Sequence, residues 1–441
     1  MNTISVVGLG YIGLPTAIVA AQSGYKVFGF DIDSEKIQKI NNGDPTIVEP
    51  EIIQRLYSVL KDKKIIVSSI LQESDCFIVA VPTPFLRNKN NINDVKANLS
   101  YVFDAAENIA RVLKPGNLVI LESTVPVGTT FKLASLLEKK SGLKLGIDIF
   151  VAHCPERVLP GKIFEELVSN DRVIGSVCDG SAKLAEKFYS KFVKGKLTFT
   201  DDKTAEMIKL VENSSRDLQI ALANQISQMA SRVGINPYEV ISIANKHPRV
   251  NILEPGCGVG GHCIAVDPWF LIESFPQDSD LLKVARKVND EKPFLVLQEV
   301  AQKINMFNSK NKKQPNLLIL GLTFKPDIDD YRNSPALKIS SELNKDNNLN
   351  LAVCEPNLVS QKIKNIGFLN VKGLLDGVKW ADLILILVKH KEFFSLNELN
   401  LKGKMVIDIC GLLSNKKYIN NVIGESNLIK IAAKQSNWDT V

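Results

Sequence analysis

Residues 3–13 read Thr3-Ile4-Ser5-Val6-Val7-Gly8-Leu9-Gly10-Tyr11-Ile12-Gly13, a short strand-forming run followed by three glycines in a GxGxxG spacing. A helical pattern follows, and Lys26–Phe30 predicts a second strand. Gly8 permits the tight turn, Gly10 lets backbone N–H groups approach a pyrophosphate, and Gly13 permits close packing of helix on strand. This strand–turn–helix–strand unit predicts a nucleotide-binding fold at the start of the chain.

Asp31 stands directly after the second predicted strand. A carboxylate at this position accepts hydrogen bonds from the adenosine ribose hydroxyls and repels a 2′-phosphate. The predicted cofactor is therefore NAD, in preference to NADP. The alternative left open is a βαβ unit that binds no cofactor.

Three further predicted strands end in polar residues. Thr83 follows the first of them, Ser123 and Thr124 follow the next, and Glu156 and Arg157 follow the third. Open α/β sheets bind ligands at the carboxyl ends of their strands, so these side chains are candidates for cofactor or substrate contacts. The alternative for the hydroxyls is an ordinary turn or cap residue.

Thr204–Val233 has the apolar periodicity of one long helix. Lys209, Asn213 and Arg216 fall on one face of it, because their spacing is i, i+4, i+7. A solvated polar stripe would produce the same pattern. The helix is apolar around most of its girth, however, and a buried lysine needs an anionic partner or a catalytic role.

Pro255–Phe270 carries four glycines in its first seven positions and then Cys263. Such a loop allows close approach of the backbone to a ligand. Asp267-Pro268 predicts a helix N-cap followed by a proline in the first turn. A cysteine at a helix entrance is a candidate nucleophile because its thiolate is stabilised there. The alternative is a buried structural cysteine.

The composition changes at Asn305–Asn316, which predicts a linker, and a βα alternation then restarts without a glycine fingerprint. The predicted fold class is α/β, with two Rossmann-like doubly wound parallel-sheet domains joined by a central long-helix domain. The predicted boundaries are 1–200 for the NAD-binding domain, 201–304 for the central helical domain with the cysteine loop, and 305–441 for the C-terminal domain.

The composition excludes several classes of function. The net charge is only +6, and the lysines are scattered without interleaved aromatics, which argues against nucleic-acid binding. No apolar run is long enough to span a membrane. The seven cysteines are odd in number and contain no CxxC, which predicts a reduced, cytoplasmic protein. Cys257, His262 and Cys263 lack a second ligand pair, so no metal site is predicted.

The chain resembles the UDP-glucose/GDP-mannose dehydrogenase family over essentially its whole length. Within that family it is most similar to the members that act on UDP-N-acetyl-D-mannosamine. Several long motifs in the same order make the resemblance far more specific than any one of them. The matching stretches are Gly8–Gly13, Glu122–Gly128, Cys154–Gly161, Thr204–Asn213, His247–Ile252, Pro255–Phe270 and Phe324–Arg332.

The resemblance implies oxidation of a sugar's C6 primary alcohol to a carboxylate with two NAD⁺ and no release of the aldehyde. Cys263 would attack the aldehyde to give a thiohemiacetal, which is oxidised to a thioester and hydrolysed. The implied product is UDP-N-acetyl-D-mannosaminuronate, a surface-polysaccharide precursor. The other implied roles are oxyanion stabilisation by Lys209 with Asn213, base catalysis through water by Asp267, and positioning of that water by Glu156 and Thr124.

The resemblance also implies ligand contacts, and a homodimer in which Arg249 reaches the partner's UDP-sugar. Together with the glycine fingerprint, the NAD contacts are Gly8, Gly10, Tyr11, Ile12, Gly13, Asp31, Thr83, Thr124 and Arg332. The implied nucleotide-sugar contacts are Arg157, Val158, Lys209, Asn213, Arg216, His247, Arg249, Gly260, Phe324 and Lys325.

Two departures from the family pattern limit the substrate prediction. Val266 stands where the glucose-type enzymes carry lysine, which argues against UDP-glucose. Cys410 stands where relatives commonly carry a basic residue, so a phosphate or cofactor contact there is in doubt. The alternatives are a UDP-N-acetylglucosamine 6-dehydrogenase and a nucleotide-sugar-binding protein without turnover.

Overall fold

The computed structural model describes residues 1–47, 49–88, 91–346, 349–399 and 401–413, so residues 414–441 of the predicted C-terminal domain lie outside it. The chain forms two compact units. The predicted three-domain boundaries stay a prediction. The first unit comprises Met1–Leu218, Gly260–Lys287 and Ile328–Asp330, and the second comprises Gln219–Val259, Val288–Asp327 and the chain from Tyr331 onward.

The first unit alternates strands and helices, as its N-terminal pattern predicts. Its strands are β1 (Thr3–Val7), β2 (Lys26–Phe30), β3 (Ile65–Ser68), β4 (Cys76–Val79), β5 (Phe85–Asn88), β6 (Asn91–Ala97), β7 (Asn117–Leu121), β8 (Ile149–His153), β9 (Arg172–Ser176) and β10 (Leu197–Asp201). Its first seven helices are α1 (Gly13–Gln22), α2 (Ser34–Asn41), α3 (Ile52–Lys61), α4 (Ser100–Ala110), α5 (Thr129–Ser141), α6 (Ile163–Ser169) and α7 (Asp179–Tyr189).

Eight of these strands form one sheet in the order β10-β9-β8-β7-β4-β1-β2-β3. Residues of β1 pack into two separate cores. Ile4 and Val6 pack on one face of the sheet, and Val7 packs on the other. A strand buried on both faces requires an almost continuous apolar run, which is the pattern that β1 shows. The doubly wound architecture predicted for this part of the chain is confirmed.

Two features of the first unit were not predicted. β8 pairs with β9 in antiparallel orientation, while the other pairings in the sheet are parallel. In addition, β5 and β6 form a separate antiparallel hairpin. The hairpin follows Thr83 directly and therefore lies at the carboxyl edge of the sheet, where ligands bind.

Four helices occupy the central part of the chain: α8 (Asp202–Arg232), α9 (Pro237–Ala244), α10 (Asp267–Ser274) and α11 (Asp280–Asn311). The predicted long helix is confirmed as α8, and Asp201 Oδ1 caps it by accepting from the Thr204 backbone N–H at 2.9 Å. The predicted linker at Asn305–Asn316 is wrong in its first half, because α11 continues to Asn311. Apolar residues such as Ile304 hold that helix on the core.

The second unit contains a smaller parallel sheet, as predicted. Leu317 and Ile319 face one core, and Leu318 and Leu320 face another. Its strands are β11 (Asn316–Leu320), β12 (Asn350–Cys354), β13 (Leu383–Ile386) and β14 (Met405–Asp408), in the order β12-β11-β13-β14. Its remaining helices are α12 (Pro335–Leu343), α13 (Ser360–Asn365), α14 (Leu374–Trp380) and a 3-10 helix at Lys391–Asn397.

Within the described residues, no helix combines the length and the apolar character that a membrane crossing requires. All seven cysteines are free thiols.

Candidate active site

The cysteine loop enters α10 through a tight turn. The carbonyl of Cys263 accepts hydrogen bonds from the backbone N–H groups of Val266 at 2.9 Å and Asp267 at 2.8 Å. Cys263 itself is exposed. The predicted N-cap at Asp267 is wrong by one position, because Val266 is the N-cap and Asp267 is the first helical residue. The carboxylate of Asp267 is therefore free to point away from the helix end.

Asp267 is buried and meets α8. Its Oδ2 accepts a hydrogen bond from Asn213 Nδ2 at 2.5 Å, and the residue is 2 % exposed. Burial raises the pKa of Asp267 to about 6, while the charge of Lys209 and the Asn213 hydrogen bond act in the opposite direction. A carboxylate with a pKa close to neutral can exchange protons at the pH of the cell.

Neighbouring charges also shift the pKa of the Cys263 thiol. Crowding by protein atoms and the neighbouring Asp267 raise its pKa, whereas Lys209 and Arg216 lower it. Only a small fraction of Cys263 is therefore thiolate at neutral pH in the absence of substrate. Attack by sulfur then requires that its proton be removed during the reaction, and Asp267 is a carboxylate near enough to influence it.

The hairpin and α8 hold α10 in place. Phe270 and Leu271 share a small core with Leu210 of α8, and Trp269 packs with Val95 of the hairpin. Glu273 Oε2 also accepts from the backbone N–H of Ala97 at 2.8 Å. These contacts fix the helix that carries Asp267 and follows Cys263.

Glu156 lies in a buried charge network behind the loop after β8. Its Oε2 accepts from Arg172 Nη2 at 2.8 Å, and its Oε1 accepts from the Arg157 backbone N–H at 2.7 Å. Arg172 also lies 3.9 Å from Glu122, a second buried carboxylate, whose pKa is raised by burial. The buried Arg172 thus interacts with two carboxylates, and its hydrogen bond orients Glu156. Sequence reasoning assigned no role to Arg172 or Glu122, which carry no local signal of their pairing.

His153, at the end of β8, is fully buried. Burial and the positive charge of Lys209 lower the pKa of His153 to about 3. The imidazole of His153 therefore stays neutral at the pH at which Asp267 titrates.

A cleft of 410 Å³ opens beside these residues in the first unit. Arg157 is held there by Glu212, which accepts from both Nε and Nη2, and Asn170 Nδ2 donates to the Arg157 carbonyl at 3.0 Å. Glu212 was missed, although its place three residues after Lys209 on the same helix could have revealed it. The lining residues are Arg157, Val158, Leu159, Asn170, Asp171, Lys209, Glu212, Asn213 and Arg216.

The three glycines of the turn after β1 differ in the space around them. Gly8 has φ +93°, and a Cβ there would lie 2.6 Å from the Ala80 carbonyl oxygen. A Cβ on Gly13 would lie 1.9 Å from the Gly8 oxygen, whereas a Cβ built on Gly10 would meet no described atom within 4 Å apart from its chain neighbours. Protein packing therefore explains the first and third glycines, and the open space at Gly10 fits close approach by a ligand.

Asp31 is buried at the end of β2 and fixes this turn. Its Oδ2 accepts from the Leu9 backbone N–H and from Lys36 Nζ, each at 2.9 Å, and its Oδ1 accepts from the Asp33 backbone N–H at 3.0 Å. Asp31 directly follows β2, as predicted, and its contact with the adenosine ribose stays a prediction. Lys36 was not predicted to pair with it.

Other residues that were predicted to contact the cofactor form hydrogen bonds between loops. Thr83 Oγ1 donates to the Thr124 carbonyl at 2.7 Å, which joins the loops after β4 and β7. Tyr11, half-buried like Ile12, donates its hydroxyl to Glu49. Burial and Glu49 raise the pKa of the Tyr11 hydroxyl. Thr83, Thr124 and Tyr11 thus belong to the same strand-end region as the glycine turn.

The remaining residues that were predicted to contact the cofactor or the substrate lie partly in the first unit and partly in the second. Gly260 belongs to the first unit. In the second unit, His247 and Arg249 are exposed and follow α9, while Phe324, Lys325 and Arg332 follow β11.

Comparison with known sequences matches most of the chain to one family. Sequence profiles of the UDP-glucose/GDP-mannose dehydrogenase family match its NAD binding domain at residues 2–193, its central domain at 203–291 and its UDP binding domain at 318–415.

Individual relatives match over nearly their full length. The UDP-N-acetyl-D-mannosamine dehydrogenase of Campylobacter jejuni is 46% identical over 404 residues, covering 90% of this chain and 97% of the relative. The NDP-N-acetyl-D-galactosaminuronic acid dehydrogenase of Ralstonia nicotianae is 43% identical over 425 residues, covering 94% and 97%. The solved structure of the UDP-D-ManNAc dehydrogenase of Pyrococcus horikoshii superposes with a TM-score of 0.82 at 42% identity, covering 94% of this chain and 96% of that one.

Proposed function

Because the chain belongs to the UDP-glucose/GDP-mannose dehydrogenase family, whose members are NAD-dependent nucleotide-sugar dehydrogenases, we propose that its substrate is UDP-N-acetyl-D-mannosamine. The reaction is the four-electron oxidation of the C6 alcohol to the carboxylate. The observation that carries the proposal is the convergence of Cys263, Asp267 and Asn213 beside a cleft lined by two arginines. A binding protein has no need for a thiol beside a proton-exchanging carboxylate.

Bound NAD⁺ supplies the hydride acceptor for both oxidations. Asp267 accepts the alcohol proton through water, and Lys209 stabilises the oxygen anion that develops at C6. The sulfur of Cys263 then adds to the aldehyde carbon as the C=O π bond breaks, and the thiol proton passes to the former carbonyl oxygen, which gives a thiohemiacetal. After the second oxidation the sugar is bound as a thioester.

Hydrolysis then releases the uronate. Water adds to the thioester carbon and the C–S bond breaks. One proton of the water passes to the Cys263 sulfur, and the other is released as the product ionises to the carboxylate. Glu156, oriented by Arg172, and Thr124 hold this water. We assign Arg157 and Arg216 to the anionic substrate, because both line the cleft and an arginine can bind phosphate or sugar oxygens in a bidentate manner.

The test of the proposed function is the stoichiometry of purified protein with single UDP-sugars. UDP-N-acetyl-D-mannosamine should yield two NADH per sugar consumed and no aldehyde that a carbonyl reagent can trap. The gluco and galacto epimers are the matched comparisons, the second because of the similarity to the galactosaminuronic acid relative. One NADH per sugar would exclude the four-electron reaction, and faster turnover of another epimer would reassign the substrate.

The free cysteines support a reducing, cytoplasmic location, where the uronate would feed surface-polysaccharide synthesis. We also propose that the protein is a homodimer with shared sites, in which Arg249 reaches the UDP-sugar of the partner. The exposure of Arg249 in the second unit is compatible with this role.

Mixing two inactive variants tests the shared site. Arg249→Ala and Cys263→Ala are each expected to be nearly inactive, because each removes a group that every site requires. In a two-fold dimer a mixed pair contains one complete site and one doubly damaged site. Random reassociation makes about half of the dimers mixed, so activity should return to roughly a quarter of the parent value.

The control is a mixture of the two variants kept from exchanging subunits, which should stay inactive. If mixed dimers form, as native mass spectrometry can verify, and activity does not return, then Arg249 serves its own subunit or none.

A further inference from the structure

The second unit repeats the turn geometry of the first. Gly321 follows β11 with φ +93°, the value found at Gly8 after β1. The Gly321 N–H donates to the Cys354 carbonyl at 3.0 Å, as the Gly8 N–H donates to the Phe30 carbonyl at 2.8 Å. β11 also lies between its own second and third strands, as β1 lies between β2 and β4. The two units therefore share one strand–turn design.

Glu355 occupies in the second unit the position that Asp31 occupies in the first. Each residue directly follows the second strand of its unit, β12 or β2. Glu355 Oε2 accepts from the Leu322 backbone N–H at 2.7 Å, and Asp31 accepts from the Leu9 backbone N–H at 2.9 Å. Each carboxylate thus holds the residue after the turn glycine.

The second partner of the carboxylate differs between the units. Asp31 pairs with the half-buried Lys36, whereas Glu355 Oε2 lies 3.1 Å from Nε2 of His390, which is fully buried after β13. Burial by itself would raise the pKa of Glu355, but hydrogen bonds from His390 and from backbone N–H groups keep it below its usual value. Glu355 is consequently a charged acceptor inside the second unit.

The hydrogen bonds fix which ring nitrogen of His390 carries the proton. Nδ1 accepts from the Asp327 backbone N–H at 3.0 Å and lies 2.9 Å from Asn357 Nδ2. A backbone N–H can only donate, so Nδ1 carries no proton. The proton of the neutral ring is then on Nε2, which donates to Glu355.

This chain of bonds clamps the loop 322–327 at both ends. Glu355 holds the N–H groups of Leu322 and Thr323, the latter at 3.2 Å, and His390 holds that of Asp327. Asp327 adopts φ +61°, a left-handed conformation that a residue with a side chain rarely takes without support from its surroundings. Phe324 and Lys325, the two residues assigned to the nucleotide sugar, lie inside the clamped segment.

We propose that Glu355 and His390 are positioning residues that preorganise the loop 322–327 for the uridine diphosphate part of the substrate. The inference rests on the proposed role of Phe324 and Lys325 in substrate binding. Glu355 and His390 belong to the second unit, whereas Cys263 and Asp267 belong to the first. Their loss should weaken nucleotide binding and leave the chemical steps at C6 almost unaffected, because a bound ligand must then order the loop itself.

The experiment uses the full-length protein, with UDP alone as the probe in calorimetry and with full turnover. His390→Leu removes the hydrogen bonds of both ring nitrogens and should raise the Kd of UDP and the KM of the UDP-sugar about tenfold or more. The Kd of NAD and kcat at saturating UDP-sugar should stay within about twofold. His390→Gln offers one acceptor and one donor and should recover a large part of the UDP affinity.

Ser340→Ala is the matched control. It removes a buried hydrogen bond of the same unit, from Ser340 Oγ to the Ala336 carbonyl at 2.7 Å, and both of these residues lie within α12. An unchanged Kd of UDP in His390→Leu would overturn the positioning role, as would equal losses for UDP and NAD or an equal loss in Ser340→Ala. Failure of the parent protein to bind UDP would instead overturn the proposed function.

Discussion

Replacing Cys263 by serine is expected to lower kcat by on the order of a thousandfold or more while NAD and the UDP-sugar bind almost as before. The reason is chemical. A serine hydroxyl adds to an aldehyde far less readily than a thiol, and an ester hydrolyses more slowly than a thioester. Cys263 is exposed at the entrance of α10, so the change leaves no cavity.

The measurement combines calorimetry for the two ligands with rapid-quench single turnovers. Cys178→Ser is the matched control, since that thiol is also not fully buried and its contact to the Ser181 hydroxyl at 3.1 Å is one that serine can keep. Turnover of Cys263→Ser near the parent rate, or an equal loss in Cys178→Ser, would mean that another group is the nucleophile.

The parts of this molecule that were predictable are those specified by neighbours in sequence. The glycine spacing after β1 sets the turn, and the apolar periodicity of α8 sets the helix that carries Lys209 and Asn213 on one side. The acid after β2 could also be placed, because strand length and turn geometry leave it little freedom. Each of these signals lies within one continuous stretch of the sequence.

The parts that were missed depend on partners distant in sequence. Glu206 of α8 accepts hydrogen bonds from the backbone N–H and hydroxyl of Thr130 at 2.6 Å, and so caps a helix 76 positions earlier in the chain. Arg172 donates a hydrogen bond to Glu156 because β9 runs antiparallel beside β8. No local pattern encodes such pairs, because the topology of the sheet brings them together.

Asp267 shows how both kinds of information combine. The sequence pattern predicts its place at the start of a helix, and a helix start suggests a capping side chain. The tertiary structure instead buries the carboxylate against Asn213, and this contact makes it a candidate base. A site residue can therefore be located from sequence while its protonation chemistry depends on the fold.

Replacing Asp267 by asparagine is expected to stabilise the protein and to inactivate it. The folded-state pKa of Asp267 is about 6, above the ordinary aspartate value of 3.8. A raised carboxyl pKa means that ionisation opposes folding: the cost is absent below about pH 3.8, grows up to about pH 6 and is constant above. The difference between these pKa values corresponds to about 3 kcal/mol. The free energy of unfolding of Asp267→Asn should therefore exceed that of the parent by up to this amount at pH 7.5 and by about half of it at pH 5.

Activity should change in the opposite direction. Loss of a general base lowers kcat by about a hundredfold or more, and the rise of kcat through pH 6 that the parent should show would be absent. The amide oxygen of the Asp267→Asn variant can still accept the hydrogen bond from Asn213, so the loss is attributable to the missing base and not to a broken contact.

Thermal melting at both pH values, with kcat measured from pH 5 to 8, checks the two halves of this prediction. Asp202→Asn is the control, because Asp202 is also buried with a raised pKa but lies in the first turn of α8 and does not line the cleft. The Asp202→Asn variant shows how removal of a buried charge alone changes the stability. Its kcat should remain at the parent level. If Asp267→Asn kept its activity, or gained no stability at pH 7.5, the buried carboxylate would not be the charged base that the active site requires.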